Sequence, residues 1–305
     1  MKRTARPAFA IVLVLAAAAC ATTAPPAAGT AGKGVVKVVA AENFWGSLAT
    51  QLGGSHAQVT SIITNPDADP HDYEPTAADG RIIDSAQVVI INGVGYDAWA
   101  TKLAATNPGA DRTTLTVGDL VGAKDGDNPH RWYNPADVRQ VIDAITAAYQ
   151  KADPADAAYF DAQHSTVLGT DLKPYFDKIT RIKADYAGTP VGASESIFAM
   201  IAPALGLNLI TPATFLRAVS EGTDPTAADK STIDRQITTK QIKVYVYNSQ
   251  NATPDVQAQV NEARAAGIPV TTITETLAPA GDTFQQWQLG QLEALQRALA
   301  GATGK

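Results

Sequence analysis

From Val35 onward, apolar residues arrive in two alternating rhythms. Short runs rich in β-branched residues, at 35–40, 58–63, 88–91 and 114–117, predict strands. Between them apolar positions return at helical spacing, as at 43–52 and 76–83. A helix opens at Asn134-Pro135, a capping side chain followed by proline at the first helical position. Val138, Val141, Ile142, Ile145 and Tyr149 give that helix one core-facing stripe. Residues 154–186 then read as helix with no strand signal, opened by Asp153-Pro154. Pro174 predicts a kink or break near Lys173. If continuous, this stretch would run about 45–50 Å at roughly 1.5 Å per residue, more than one crossover requires, so it is expected to link two lobes. The alternation resumes at 190–193, 207–210, 243–247 and 269–273, and a last helix over 283–299 carries Phe284, Trp287, Leu292, Leu295 and Leu299 on one face. The predicted fold is α/β, with two (βα)4-type lobes of mainly parallel strands (35–153 and 188–305) joined by a long linking helix over 154–187.

The ends of the chain fix where such a body would work. Lys2, Arg3 and Arg6 precede an apolar stretch over 9–19, too short to span a bilayer as a mature helix, and Cys20 ends it. Residues 1–19 therefore read as a signal peptide. Cys20, the only cysteine, stands where a bacterial lipoprotein signal places its acylated residue, so lipidation is expected there. A lone cysteine also excludes an intramolecular disulfide. Residues 20–34 are mostly Ala, Thr, Pro and Gly and read as a lipidated tether. Loss of residues 1–19 takes the net charge from −6 to about −9, and no basic run follows Arg6. Nucleic acid is thus excluded as a partner. The chain is expected to be exported and anchored to the outer face of the cell membrane.

Two of the four histidines stand apart. His71 lies in Pro70-His71-Asp72-Tyr73-Glu74-Pro75, and His130 in Asn128-Pro129-His130-Arg131-Trp132. Each follows a proline in a polar loop, within a βα scheme whose ligands collect beyond strand ends. On placement alone each is either a ligand or a loop histidine satisfied by its neighbours. His56 and His164 read as surface positions. Glu195 follows the 190–193 run at a strand-to-helix turn, where it is either a ligand or a first-turn acid favoured by the helix dipole. Asp282, just before the last helix, is either a ligand or an N-cap.

Over residues 35–302 the sequence resembles the metal-specific substrate-binding lipoproteins of ABC importers, which capture manganese, zinc or iron outside the cell. The matching stretches are Asn65-Pro66 to Pro75, Asn92-Gly93-Val94-Gly95-Tyr96, Asn128 to Trp132, Ser194-Glu195-Ser196-Ile197-Phe198 and Gly281-Asp282-Thr283-Phe284. The resemblance implies a metal site in the cleft between the lobes, made of His71, His130, Glu195 and Asp282. It also implies a membrane permease and its ATPase as partners, a monomeric chain, and no catalytic residue or catalytic cofactor. Members dedicated to zinc often carry a third histidine where Glu195 stands and a His-rich loop in the first lobe; neither is present.

Two imidazoles and two carboxylates form a nitrogen and oxygen set suited to manganese, iron(II) or zinc and not to copper(I). Carboxylates able to bind through both oxygens permit more than four contacts, which favours Mn2+ over tetrahedral Zn2+. Intrinsic affinity follows the opposite order, so zinc is expected to bind at least as tightly in vitro. A metal-dependent hydrolase is the enzymatic rival. No His-Glu-x-x-His, Gly-x-Ser-x-Gly or P-loop motif supports it. A chelate-binding protein of the same architecture is the other rival, and an adhesin role stays open.

Overall fold

A computed structural model describes residues 34–66, 73–106, 108–109 and 111–305, so the signal peptide, Cys20 and His71 lie outside the described residues. Eight strands form two parallel four-stranded sheets. The first contains β1 (Val36–Glu42), β2 (Ala57–Ile63), β3 (Val88–Ile91) and β4 (Thr113–Thr116), in the order β2-β1-β3-β4. The second contains β5 (Pro190–Ala193), β6 (Asn208–Leu209), β7 (Val244–Asn248) and β8 (Val270–Ile273), in the order β6-β5-β7-β8. The two sheets share one plan. In each, the chain leaves the central strand in one direction and returns on its other side, which opens a crevice beyond the strand ends.

Twelve α-helices fill the connections among the described residues. In the first lobe they are α1 (Asn43–Gly53), α2 (Ala77–Asp84), α3 (Ala98–Thr106) and α4 (Val117–Leu120). The middle of the chain supplies α5 (Pro135–Ala152), α6 (Ala157–Thr166) and α7 (Lys173–Tyr186). The second lobe adds α8 (Ile197–Ile201), α9 (Ala213–Ser220), α10 (Ala227–Thr238), α11 (Pro254–Ala265) and α12 (Phe284–Thr303). Among the described residues no helix is long and apolar enough to cross a membrane.

The stretch expected to be one linking helix is two helices joined by a π turn at Val167–Asp171. The break precedes Lys173, and Pro174 sits in the first turn of α7, where its missing N–H costs no helical hydrogen bond. α6 packs on α1 and α5, whereas α7 packs on α12, so the chain changes lobes at the π turn. Asn134 caps α5 by accepting the Ala136 N–H at 3.0 Å, as its sequence predicts. Asp282 does not cap the last helix. That cap is Thr283, in a reciprocal box with Gln286.

One apolar core runs through both lobes. It joins Val38, Val88 and Ile90 to Val191, Val244 and Val246 through Trp132, Tyr175, Phe284 and Trp287. A second, smaller core around Val39, Val89, Ile91 and Trp99 covers the other face of the first sheet. Residues 35–305 accordingly form one compact unit.

Candidate metal centre

Segments that follow the strands of the two sheets meet through polar side chains, as in the Tyr96–Glu275 and Asn128–Ser196 hydrogen bonds. His130 arrives from the first lobe on the loop before a short turn at Arg131–Tyr133, and its side chain is fully buried. Asn128 fixes the ring. Its side-chain NH2 donates to the Ser196 carbonyl at 2.6 Å, so its oxygen is the acceptor for His130 Nδ1–H at 2.7 Å. That tautomer leaves Nε2 as the atom facing the cleft. Behind the ring stands an aromatic wall, with Trp132 at 5.3 Å and Tyr96 at 6.0 Å between centroids. Phe44 stacks on Trp132 at 3.9 Å. Arg131 pairs with Asp137 on α5, so the loop is held on both sides of the histidine.

The second lobe brings two carboxylates. Glu195 follows β5, is 2% exposed, and accepts the Asn251 side-chain N–H at 3.1 Å. Its other oxygen, Oε2, is buried without a hydrogen-bond partner. Burial pushes the Glu195 carboxyl up to about 7, and the nearby charge of Glu275 adds to that; His130, Asn248 and Asn251 oppose it. Glu275 follows β8. One of its oxygens lies 3.2 Å from His130 Nε2 and 3.2 Å from the Asn248 side-chain N–H, and the other accepts the Tyr96 hydroxyl at 3.0 Å. Burial alone would lower the affinity of His130 for its second proton. Glu275, and then Glu195, outweigh it, so the imidazole is raised above its ordinary value.

The carboxylate that meets His130 from the second lobe is therefore Glu275, not Asp282. Strand β8 ends at Ile273 and delivers the next residues straight into the cleft. Thr274 is pinned there because its carbonyl accepts the Tyr133 hydroxyl at 2.8 Å and its side chain accepts the Trp287 N–H at 2.7 Å. Asp282 follows in the segment before α12, where its backbone N–H closes a bend on the Pro279 carbonyl at 3.1 Å. Of the four residues expected, His130 and Glu195 stand in the cleft, Asp282 stands at the head of α12, and His71 lies outside the described residues. The following segment is anchored by Tyr73, which donates to Asp79 at 3.1 Å and packs on Trp99. His56 and His164 pair with Asp156 and Asp143 at the surface. Among the described residues, no group of three or more His, Cys, Asp and Glu side chains forms a ready-made metal cage.

Fold and cleft together define a two-lobed α/β binding protein with a buried imidazole–carboxylate centre. The family described as ZnuA, zinc-uptake complex component A, periplasmic, matches residues 38–298, and the chain belongs to it. The manganese-binding lipoprotein MntA of Halalkalibacterium halodurans is 24% identical over 209 residues, covering 66% of this chain and 69% of that protein. The iron-binding protein YfeA of Yersinia pestis is 27% identical over 180 residues, 56% of this chain and 57% of that protein. The Mn-bound periplasmic metal-binding protein from Candidatus Liberibacter asiaticus superposes with a TM-score of 0.71 at 20% identity. That superposition covers 87% of this chain and 99% of the other, and it shows a shared fold.

Proposed function

We propose that this chain captures a divalent transition metal outside the cytoplasm and passes it to an ABC-type permease with its ATPase, without catalysing a reaction. The observation that carries this reading is the buried meeting of His130 with Glu275, beside a Glu195 oxygen that no donor satisfies. An imidazole nitrogen and two carboxylates cannot share a buried space cheaply unless a cation or protons neutralise them. The ligands proposed are His71, His130, Glu195 and Glu275, with Glu275 in the place first expected of Asp282. Mn2+ is the favoured cargo, because two carboxylates and two imidazoles suit it and leave room for coordination beyond four. The manganese- and iron-binding names of its relatives support the same ligand class. Acylation of Cys20 would hold the protein at the outer face of the cell membrane, working as a monomer.

Elemental analysis of tag-free protein from metal-replete medium tests the function directly. The expected result is about one manganese, iron or zinc ion per chain, since the proposal has one site, and none in Glu195→Ala. A wild-type chain that takes up no metal after addition of Mn2+, Fe2+ or Zn2+ would overturn the proposal and favour a chelate as ligand.

Acid should compete with the metal. Glu195 holds its proton up to about pH 7, and His130 holds its own above its ordinary value, so binding below pH 7 must displace protons. Affinity for Mn2+ is expected to fall by about tenfold per pH unit for each displaced proton between pH 7 and 5.5. The stability effect has a definite sign. Glu195 rises on folding from 4.5 to about 7, so its contribution is complete below about pH 4.5 and lost as pH climbs to 7. Mn2+ should therefore raise the melting temperature more at pH 7.5 than at pH 5.5. Equal shifts at the two values would contradict it.

A further inference from the structure

In the second sheet one strand lies between the two whose exits carry acids. Glu195 follows β5, Glu275 follows β8, and β7 separates them in the order β6-β5-β7-β8. The exit of β7, Asn248-Ser249-Gln250-Asn251, is tied by hydrogen bonds to both neighbouring exits. Toward β5, the Asn248 backbone N–H donates to Ser194 Oγ at 3.1 Å. Toward β8, the Ser249 N–H donates to the Ile273 carbonyl at 3.1 Å. The Gln250 side chain holds Thr276 twice, accepting its N–H at 3.0 Å and donating to its hydroxyl at 3.1 Å. Each acid therefore stands next to a residue anchored on this segment.

Two amides of the segment then reach the carboxylates themselves. The Asn248 side-chain oxygen accepts the Gln250 N–H at 3.0 Å, which turns its NH2 toward Glu275 Oε1 at 3.2 Å. The Asn251 NH2 lies between two acceptors, Glu195 Oε1 at 3.1 Å and the Val219 carbonyl at 3.3 Å. A turn asparagine closing on the backbone two residues ahead accounts for the Asn248 oxygen. It does not account for two NH2 groups ending on two different acids. The donor type also matters. A lysine or arginine here would neutralise an acid in place of an incoming cation, and a further acid would repel it. An amide directs the carboxylate and leaves its charge for a divalent ion.

We propose that the 248–251 segment is a brace that sets the separation and tilt of Glu195 and Glu275, and that Asn251 thereby helps determine which divalent ion the site prefers. Asn248, Gln250 and Asn251 are positioning residues, acting on the ion through the two acids. This inference rests on the reading of both acids as metal ligands. Zinc combines high intrinsic affinity with a small tetrahedral set, so it can gather ligands that are free to move. Manganese has lower intrinsic affinity and takes more contacts, so it gains more from ligands held in place. Bracing therefore moves preference toward Mn2+ relative to a slack site.

The test is competition against a chelator of known affinity, on the mature chain, with Mn2+ alone and Zn2+ alone as probes. Asn251→Ala is expected to weaken Mn2+ binding about 30-fold, within the range for an outer partner, and Zn2+ binding about threefold. Gln250→Ala, which frees Thr276 while leaving both carboxylate bonds in place, is expected to shift the ratio the same way by about threefold. Melting of the metal-free variants is measured alongside. A merely structural role would weaken both ions by one factor, in step with lost stability. Equal losses for the two ions, or full-strength Mn2+ binding by Asn251→Ala, would overturn the brace and leave the metal function standing. If Asn251→Ala does not fold, Gln250→Ala decides, and an unchanged ratio there overturns the brace. Failure of the wild-type chain to bind either ion would overturn the function and the brace together.

Discussion

Glu275→Ala is expected to lose affinity for Mn2+ by about a thousandfold, more than the 10- to 100-fold that follows loss of an outer partner. The reasoning is local. Glu275 is the group that His130 Nε2, the Asn248 side chain and the Tyr96 hydroxyl all address, so truncation removes a ligand together with an acceptor that two donors share. It also leaves Glu195 alone to neutralise a divalent ion at a buried site. Asp282→Ala, by contrast, is expected to bind within about threefold of wild type, in the range of changes remote from a site. Competition against a chelator of known affinity checks both. Tight binding by Glu275→Ala together with loss in Asp282→Ala would reverse the assignment.

Trp132→Ala is expected to be the most damaging single truncation near the centre. The indole is fully buried and stacked on Phe44, with Tyr96 tilted against it at 4.9 Å. Emptying that space should cost about 3–5 kcal/mol, lowering the melting temperature of the metal-free protein by about 6–20 °C. The indole N–H has no partner, so Trp132→Phe sacrifices packing but no hydrogen bond and should cost much less. Calorimetry of both variants separates the cases. A Trp132→Ala protein melting within about 3 °C of wild type would mean that the wall behind His130 relaxes freely, contrary to close packing.

The architecture was legible because strand runs and helical stripes are local properties. Each of the eight strands lies within a residue or two of its sequence-based position, and Asn134-Pro135 opens its helix as its chemistry demands. The linking stretch was legible as helix with a break near Lys173, but not as two helices serving different lobes. Its π turn reflects which neighbours α6 and α7 pack on, information that no periodicity carries. In the cleft, placement alone left His130 and Glu195 open between ligand and structural residue, and the family resemblance is what put them forward. Glu275 did not, because Thr274-Glu275-Thr276 reads as an ordinary polar exit from a strand, and its orientation depends on Tyr133 and Trp287 far along the chain. A signal was nevertheless present. Glu195 stands two positions past the end of β5, and Glu275 stands two positions past the end of β8. Comparing equivalent strand exits in the repeated plan brings Glu275 forward beside Asp282, which the family resemblance had supplied.

The continuity of the core has a consequence for how such a molecule can let its cargo go. Because Phe284, Trp287 and Trp132 belong to the same packed interior as both sheets, the halves share one cooperative melting unit, and hinging them widely apart would expose apolar surface at about 25 cal/mol per Å2. Wide opening is therefore the costly route. The inexpensive degrees of freedom are at the rim, in the short polar segments that carry the donors, so ion release is a matter of unfastening individual side chains while the body stays shut.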